Sequence, residues 1–210
     1  MSEKLSPLLA RLMGIFLLGL IRVLTGAQAR WQGCPPKAEQ RIYFANHQSH
    51  ADLILMWAAL PEELRSITRP IAARDYWTKT PFKKWITTAV FNAIYVDRVK
   101  TSDQDPLEPL VEALTNGDSI ILFPEGTRGN QDEPQNFKSG LYNLAQKFPD
   151  VVLVPAWINN VQRVMPKGEV VPVPILCSVT FGTPITLGSE EDRNHFLARA
   201  RQAVMVLRES

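Results

Sequence analysis

Two of the three histidines in this chain lie within one heptapeptide, NHQSHAD, residues 46–52. His47 precedes Asp52 by five residues, between the apolar runs RIYFA (41–45) and LILMWAAL (53–60). An imidazole titrates near neutrality and can take a proton from a hydroxyl. A carboxylate on its other ring nitrogen fixes the tautomer and stabilises the imidazolium that forms. On a continuous helix, residues five apart point about 140° away from each other. The pair can therefore meet only if His47 sits in a turn and Asp52 in the first helical turn after it. The same pattern also fits a helix N-cap beside a solvated histidine.

A second polar cluster is FPEGTRGN, residues 123–130. An arginine fork such as that of Arg128 suits a phosphate bidentately. Gly126 allows close backbone approach to an anion, and Thr127 adds a hydroxyl. The alternative is a turn carrying a surface salt bridge between Glu125 and Arg128. A third cluster is Asp97-Arg98. Arg98 is a further candidate for a phosphate, with the same alternative.

These clusters need a scaffold. Arg41 to Ala45 reads as a strand and Asp52 to Leu60 as a helix stopped by Pro61. Ser66 to Ala73 reads as a strand with a proline in it, which suggests an edge. Pro81 to Val90 reads as a helix, and Ala93 to Val96 as a strand. Asp105 opens a helix, with Pro106 next, Glu108 three on, and Gly117 at the end. Ser119 to Phe123 is a strand, Phe137 to Phe148 a helix and Val151 to Ile158 a buried strand. Val171 to Phe181 alternates like a strand, and Ser189, with Asp192, caps a last helix to about Leu207. Strands alternating with helices predict an α/β fold, a single domain with a sheet covered by helices. Each polar cluster follows a strand, where such sheets place their sites. Neighbouring strands would bring the clusters to one cleft.

Four motifs in this order resemble the glycerolipid acyltransferase family, of the 1-acylglycerol-3-phosphate acyltransferase type. Its NHxSxxD motif is matched by Asn46, His47, Ser49 and Asp52, and its second motif by Tyr95-Val96-Asp97-Arg98. Its FPEGTR motif is matched from Phe123 to Arg128, and its proline in a hydrophobic strand by Pro155. VTFGTPI (179–185) is similar to the closing strand of the family. The resemblance spans residues 40 to 187. Two positions depart from it: Gly129 replaces a usual serine, and Asn92 lies where the family often carries glycine.

The resemblance implies a mixed, mainly parallel sheet and transfer of a fatty acyl group to a glycerol hydroxyl. The donor it implies is an acyl thioester, acyl-CoA or acyl carrier protein, as co-substrate. The acceptor it implies is a lysophospholipid, above all 1-acylglycerol-3-phosphate, giving phosphatidic acid. His47 would be the general base, held by Asp52. Arg98, Glu125, Gly126, Thr127 and Arg128 would bind the acceptor, the arginines on its phosphate. No cofactor and no metal are expected. His50 is read as a bystander, and His195 as a surface residue.

The N-terminus fits such an acceptor. Residues 5–24, LSPLLARLMGIFLLGLIRVL, are almost wholly apolar, and Lys4, Arg11 and Arg22 fall on one helical line. The reading taken is a helix lying in a membrane surface with snorkelling arginines. A tilted span, a helix packed on its own domain and a cleaved signal ending at Ala27-Gln28-Ala29 are the alternatives. The division expected is residues 1–30 as the membrane-associating helix and 31–210 as the acyltransferase domain. The site expected is the cytoplasmic face of a membrane, the inner membrane in a bacterium.

Composition bounds the rest. The 210 residues suit one domain. They carry 23 basic and 21 acidic residues, formal net charge +2, which gives no mandate for nucleic acid. Cys34 and Cys177 lack metal-ligand spacing and suit a reducing compartment. Two rival functions remain. Gly117-Asp118-Ser119 with a late Asp192 and His195 resembles a GDSL-type esterase, although Ser119 would open a strand where that class needs it to follow one. A non-catalytic lipid-binding protein would keep the fold without His47 or Asp52.

Overall fold

The structure, a computed structural model, describes residues 7–26, 28–49, 51–97, 105–129, 133–159 and 176–209. Its sheet has seven strands: β1 Gln28–Trp31, β2 Arg41–Ala45, β3 Thr68–Ala73, β4 Ile94–Val96, β5 Ser119–Leu122, β6 Val152–Asn159 and β7 Ser178–Phe181. Their spatial order is β1-β7-β6-β2-β5-β3-β4. Every neighbouring pair is parallel except β6 with β7. The fold is the mixed, mainly parallel α/β sheet expected. Strand β1 was not anticipated; it runs across the expected boundary after residue 30 and pairs with β7.

Strand β2 is central and buried on both sides. Ile42 and Phe44 point into one core, and Tyr43 and Ala45 into the other. That split follows from the two-residue period of a strand. On the first side lie α6 (Glu108–Thr115), α7 (Gly140–Lys147) and α8 (Arg193–Met205). On the second lie α1 (Pro7–Thr25), α2 (Asp52–Ala59), α3 (Glu62–Ser66) and a π-turn, Ile86–Val90, that follows α5 (Pro81–Trp85). A short α4, Arg74–Trp77, links β3 to α5.

Three expectations need correction. Strand β3 is not an edge: its first half pairs with β5 through Pro70, and its second half with β4 from Ile71. The proline is accommodated where the strand changes partners, since no N–H is then missing from a full ladder on both sides. The last helix is capped by Asp192, not Ser189; the Asp192 carboxylate accepts from the N–H groups of Asn194 and His195. Asp105 does not cap α6: it accepts from Leu107 N within a turn, and the helix begins at Glu108 after Leu107, with no side-chain cap. Of the predicted strand 171–181, residues 171–175 lie outside the described residues.

Gly26 follows the last residue of α1, and its N–H reaches back to Arg22 O. Its Leu17, Leu18 and Ile21 pack on the core. Leu8, Leu12, Ile15, Phe16 and Val23 stay exposed. The helix is long and apolar enough to cross a membrane by length and composition.

Candidate active site

The carboxyl ends of β6, β2, β5, β3 and β4 share one edge, because these strands are mutually parallel. The chain builds β3 and β4 on one side of β2, returns to β5, then crosses β2 to β6. Such a reversal leaves a crevice outside the strand ends. His47 lies there, two residues beyond β2.

Asn46, fully buried, starts the turn. Its amide donates to Ile158 O at 3.1 Å and accepts from Ile158 N at 2.8 Å, so a side chain extends the pairing of β2 with β6. His47 follows, with its side chain 20% exposed. Its ring stacks on Phe123 at 4.4 Å, and its Nδ1 lies 2.9 Å from Asp52 Oδ2. The same oxygen accepts from Gln48 N at 2.6 Å and Ser49 N at 2.8 Å. Two backbone donors already converge on that oxygen, so it acts as acceptor and Nδ1 as donor. In the neutral ring Nε2 is then left with its lone pair. The turn brings together the two groups that a continuous helix would have kept apart.

The FPEGTRG loop grips this turn. Glu125, 2% exposed, accepts from His47 N at 2.7 Å and from Gln135 N at 2.8 Å. Gly129 N donates to His47 O at 2.8 Å. Both backbone polar groups of His47 are therefore held by one loop. Burial pushes the Glu125 carboxyl above its ordinary range, against the pull of the two N–H groups and of His47. The Glu125 carboxylate faces the fold, so any part it takes in binding an acceptor acts through the backbone it holds. The salt bridge to Arg128 weighed from sequence is not formed. Gly129 contributes its N–H, which serine would also supply.

Gly126 has φ +70°, the left-handed region, and Thr127 and Arg128 are exposed beside it. Among the described residues, the Arg128 guanidinium has no ion-pair or hydrogen-bond partner. Asp97 lies farther along the same edge, since β5 and β3 separate β4 from β2. Asp97 pairs with Arg74 at 3.1 Å. Arg98 and His50 lie outside the described residues. His195 faces solvent and pairs with Glu191.

The esterase constellation is not assembled. Ser119 is buried at the opposite edge of the sheet, its Oγ accepting from Arg41 N. Asp192, its expected partner, is a helix cap. Among the described residues no group of three or more His, Cys, Asp or Glu could hold a metal ion.

Sequence reasoning did not assign roles to Asn46 or Phe123. Asn46 carried a signal in its motif position, but only the neighbour β6 reveals what its amide bonds. Phe123 read as the end of a strand, and its ring contact with His47 depends on the pairing of β2 with β5.

A family model described as Acyltransferase matches residues 32–159. The 1-acyl-sn-glycerol-3-phosphate acyltransferase alpha of Homo sapiens is 30% identical over 155 residues, 71% of this chain and 52% of that protein. The chloroplastic 1-acyl-sn-glycerol-3-phosphate acyltransferase LPAT1 of Arabidopsis thaliana is 26% identical over 139 residues, 66% of this chain and 37% of that protein. The chain spans about half the length of the curated relatives it matches. The fold is similar to that of the 1-acyl-sn-glycerophosphate (LPA) acyltransferase PlsC from Thermotoga maritima, with a TM-score of 0.72 and 21% identity. That likeness covers 95% of this chain and 78% of the other.

Proposed function

Because the chain belongs to the Acyltransferase family, we propose that it moves a fatty acyl group from an acyl thioester to the free hydroxyl of a lysophospholipid. The acceptor is 1-acylglycerol-3-phosphate, the substrate class in the names of its relatives, and the product is phosphatidic acid. The donor is acyl-CoA or acyl carrier protein. The observation that carries the reading is the 2.9 Å contact of His47 Nδ1 with Asp52 Oδ2.

In the proposed reaction His47 Nε2 takes the proton of the acceptor hydroxyl. Asp52 keeps Nδ1 protonated and stabilises the imidazolium. The acceptor oxygen attacks the thioester carbonyl and forms a tetrahedral intermediate. Its collapse breaks the carbon–sulfur bond, and the leaving thiolate takes the proton from His47. Both protons and electron pairs then balance, with no covalent acyl-enzyme. Arg128 holds the acceptor phosphate by its fork, with Thr127 and the backbone at Gly126 beside it. Arg98 is proposed on the same phosphate. Glu125 fixes the loop against His47.

The N-terminal helix associates with the membrane that holds the lysophospholipid, and residues 31–210 carry out the transfer. Its outward side is supported by Ile15, Phe16 and Val23, all exposed. A site on the cytoplasmic face would meet a cytosolic thioester.

The test is thiol release by the purified protein with an acyl-CoA and a panel of lysophospholipids, beside His47→Ala. Release that requires an acceptor, and falls by about 10² to 10⁴ in the variant, is expected. Release that ignores the acceptor and survives in the variant would refute the His47 mechanism.

A further inference from the structure

We infer that Lys138, with Arg128, selects a phosphate monoester as the head group of the acceptor; this rests on the acyltransferase reading above. Lys138 stands just before α7, outside the four motifs. Its backbone N–H donates to Pro124 O at 2.8 Å, which ties it to the FPEGTR loop. Its side chain then lies across Gly126. A Cβ added to Gly126 would be 2.7 Å from Lys138 Nζ and 2.9 Å from its Cδ. The left-handed backbone of Gly126 and its missing side chain together admit the lysine stem.

Among the described residues, the charges around the loop are unbalanced. Among the described residues, neither the Lys138 ammonium nor the Arg128 guanidinium has an ion-pair or hydrogen-bond partner. Glu125, the acid of the same loop, spends its oxygens on the N–H groups of His47 and Gln135. By contrast Arg41, Arg69, Arg74, Arg199 and Arg201 each meet a carboxylate. Among the described residues, two uncompensated cations therefore belong to this loop and to the segment tied to it, and the loop holds the backbone of His47. A phosphate monoester carries about −1.5 to −2 charges at neutral pH. Arg128 balances about half of that, and Lys138, together with the Arg98 proposed on the same phosphate, supplies the rest. A phosphodiester head group carries one negative charge and leaves the lysine without work.

The experiment compares wild type, Lys138→Met and Lys138→Arg with two acceptors, 1-acylglycerol-3-phosphate and 1-acylglycerophosphocholine. Methionine keeps an unbranched stem over Gly126 and removes only the charge. KM for the monoester should rise on the order of tenfold or more in Lys138→Met. Its kcat should stay close to wild type, and constants for the phosphocholine acceptor should barely move. Lys138→Arg should recover most of the loss. Independently, glycerol 3-phosphate should raise the Tm of wild type and lose that effect in Lys138→Met. Equal effects on both acceptors, or none, would overturn the inference and leave the acyltransferase reading standing. A wild type that acylates only phosphate-free acceptors in a His47-dependent way would overturn both the inference and the choice of acceptor. A lysine that is merely solvated would change neither KM nor the glycerol 3-phosphate shift.

Discussion

The carboxylate of Glu125 accepts the backbone N–H of His47 at 2.7 Å, across 78 residues of sequence. A buried acid of one motif thus sets the position of the candidate base of another. Gly129 N closes the grip on His47 O from the other side. The base and the proposed phosphate loop are one mechanical unit, so a change in either should be felt in both.

Glu125→Gln tests this link. Glutamine offers one acceptor oxygen where two buried N–H groups wait, and its amide would face the other donor. The expected cost is about 1–3 kcal/mol of stability, with a fall in kcat. The variant also carries a pH signature. Burial raises the carboxyl above 4.5 in the folded protein, so the fold binds that proton more readily than the unfolded chain. The contribution of this titration is complete below 4.5 and is lost as pH rises through the raised folded value. The Tm of wild type minus that of Glu125→Gln should therefore be largest at low pH and shrink as pH rises. A difference that grows with pH would contradict the assignment.

Asp52→Asn separates charge from geometry. Oδ2 receives the two N–H groups of Gln48 and Ser49, while Oδ1 is buried with no hydrogen-bond partner among the described residues. The asparagine oxygen should keep the Oδ2 place, and its NH₂ should take the Oδ1 side. Nδ1 of His47 can then still donate, but the imidazolium loses its counter-charge. We expect kcat to fall on the order of 10²-fold with little change in KM or in the far-ultraviolet spectrum. Asp52→Ala should be worse and also less stable, since two buried donors lose their acceptor. Steady-state kinetics at fixed acceptor decide the matter, and an unchanged kcat in Asp52→Asn would remove Asp52 from the mechanism.

Much of the scaffold was legible because strands buried on both faces write themselves as short apolar runs. RIYFA and VLVPAWIN show this well, and the polar clusters after them marked the site edge. The order of strands was not legible. Nothing local says that β2 lies between β6 and β5, and so the duties of Asn46 and Phe123 were hidden. Strand β1 was missed because QARW is half polar and pairs only at the rim. The buried posture of Glu125 was missed for a related reason: its partners, His47 N and Gln135 N, are backbone atoms that leave no trace in residue types.

Asn92 gives a cheaper check on the frame near the second motif. Its φ is +48°, the left-handed region, at the exit of the π-turn into β4. Asparagine tolerates this conformation better than most residues, and glycine better still. Its carbonyl also accepts from Arg69 Nε at 3.0 Å, which any residue at 92 can supply. Asn92→Gly should leave the unfolding free energy within about 0.5 kcal/mol or raise it, and Asn92→Ala should lower it by about 1 kcal/mol. Chemical denaturation measures both. An alanine variant as stable as wild type would show that the turn relaxes.

Helix α1 presents two apolar stripes with different fates. Leu17, Leu18 and Ile21 pack against the core beside α2, whereas Phe16 is 62% exposed and Ile15 59%. Water penalises such an exposed row unless something apolar covers it. If the cover is a bilayer surface, the outward stripe should govern binding and the inward stripe folding. Phe16→Asp should weaken partitioning onto vesicles of phosphatidylcholine and phosphatidylglycerol about tenfold or more, from about 1.5–3 kcal/mol of lost burial. Its Tm in the absence of vesicles should hardly change. Leu17→Asp should do the reverse, lowering Tm sharply because it sets a charge against the core. Vesicle sedimentation and thermal unfolding on the same two variants separate the roles. Equal binding by wild type and Phe16→Asp would take the outward stripe out of the membrane contact.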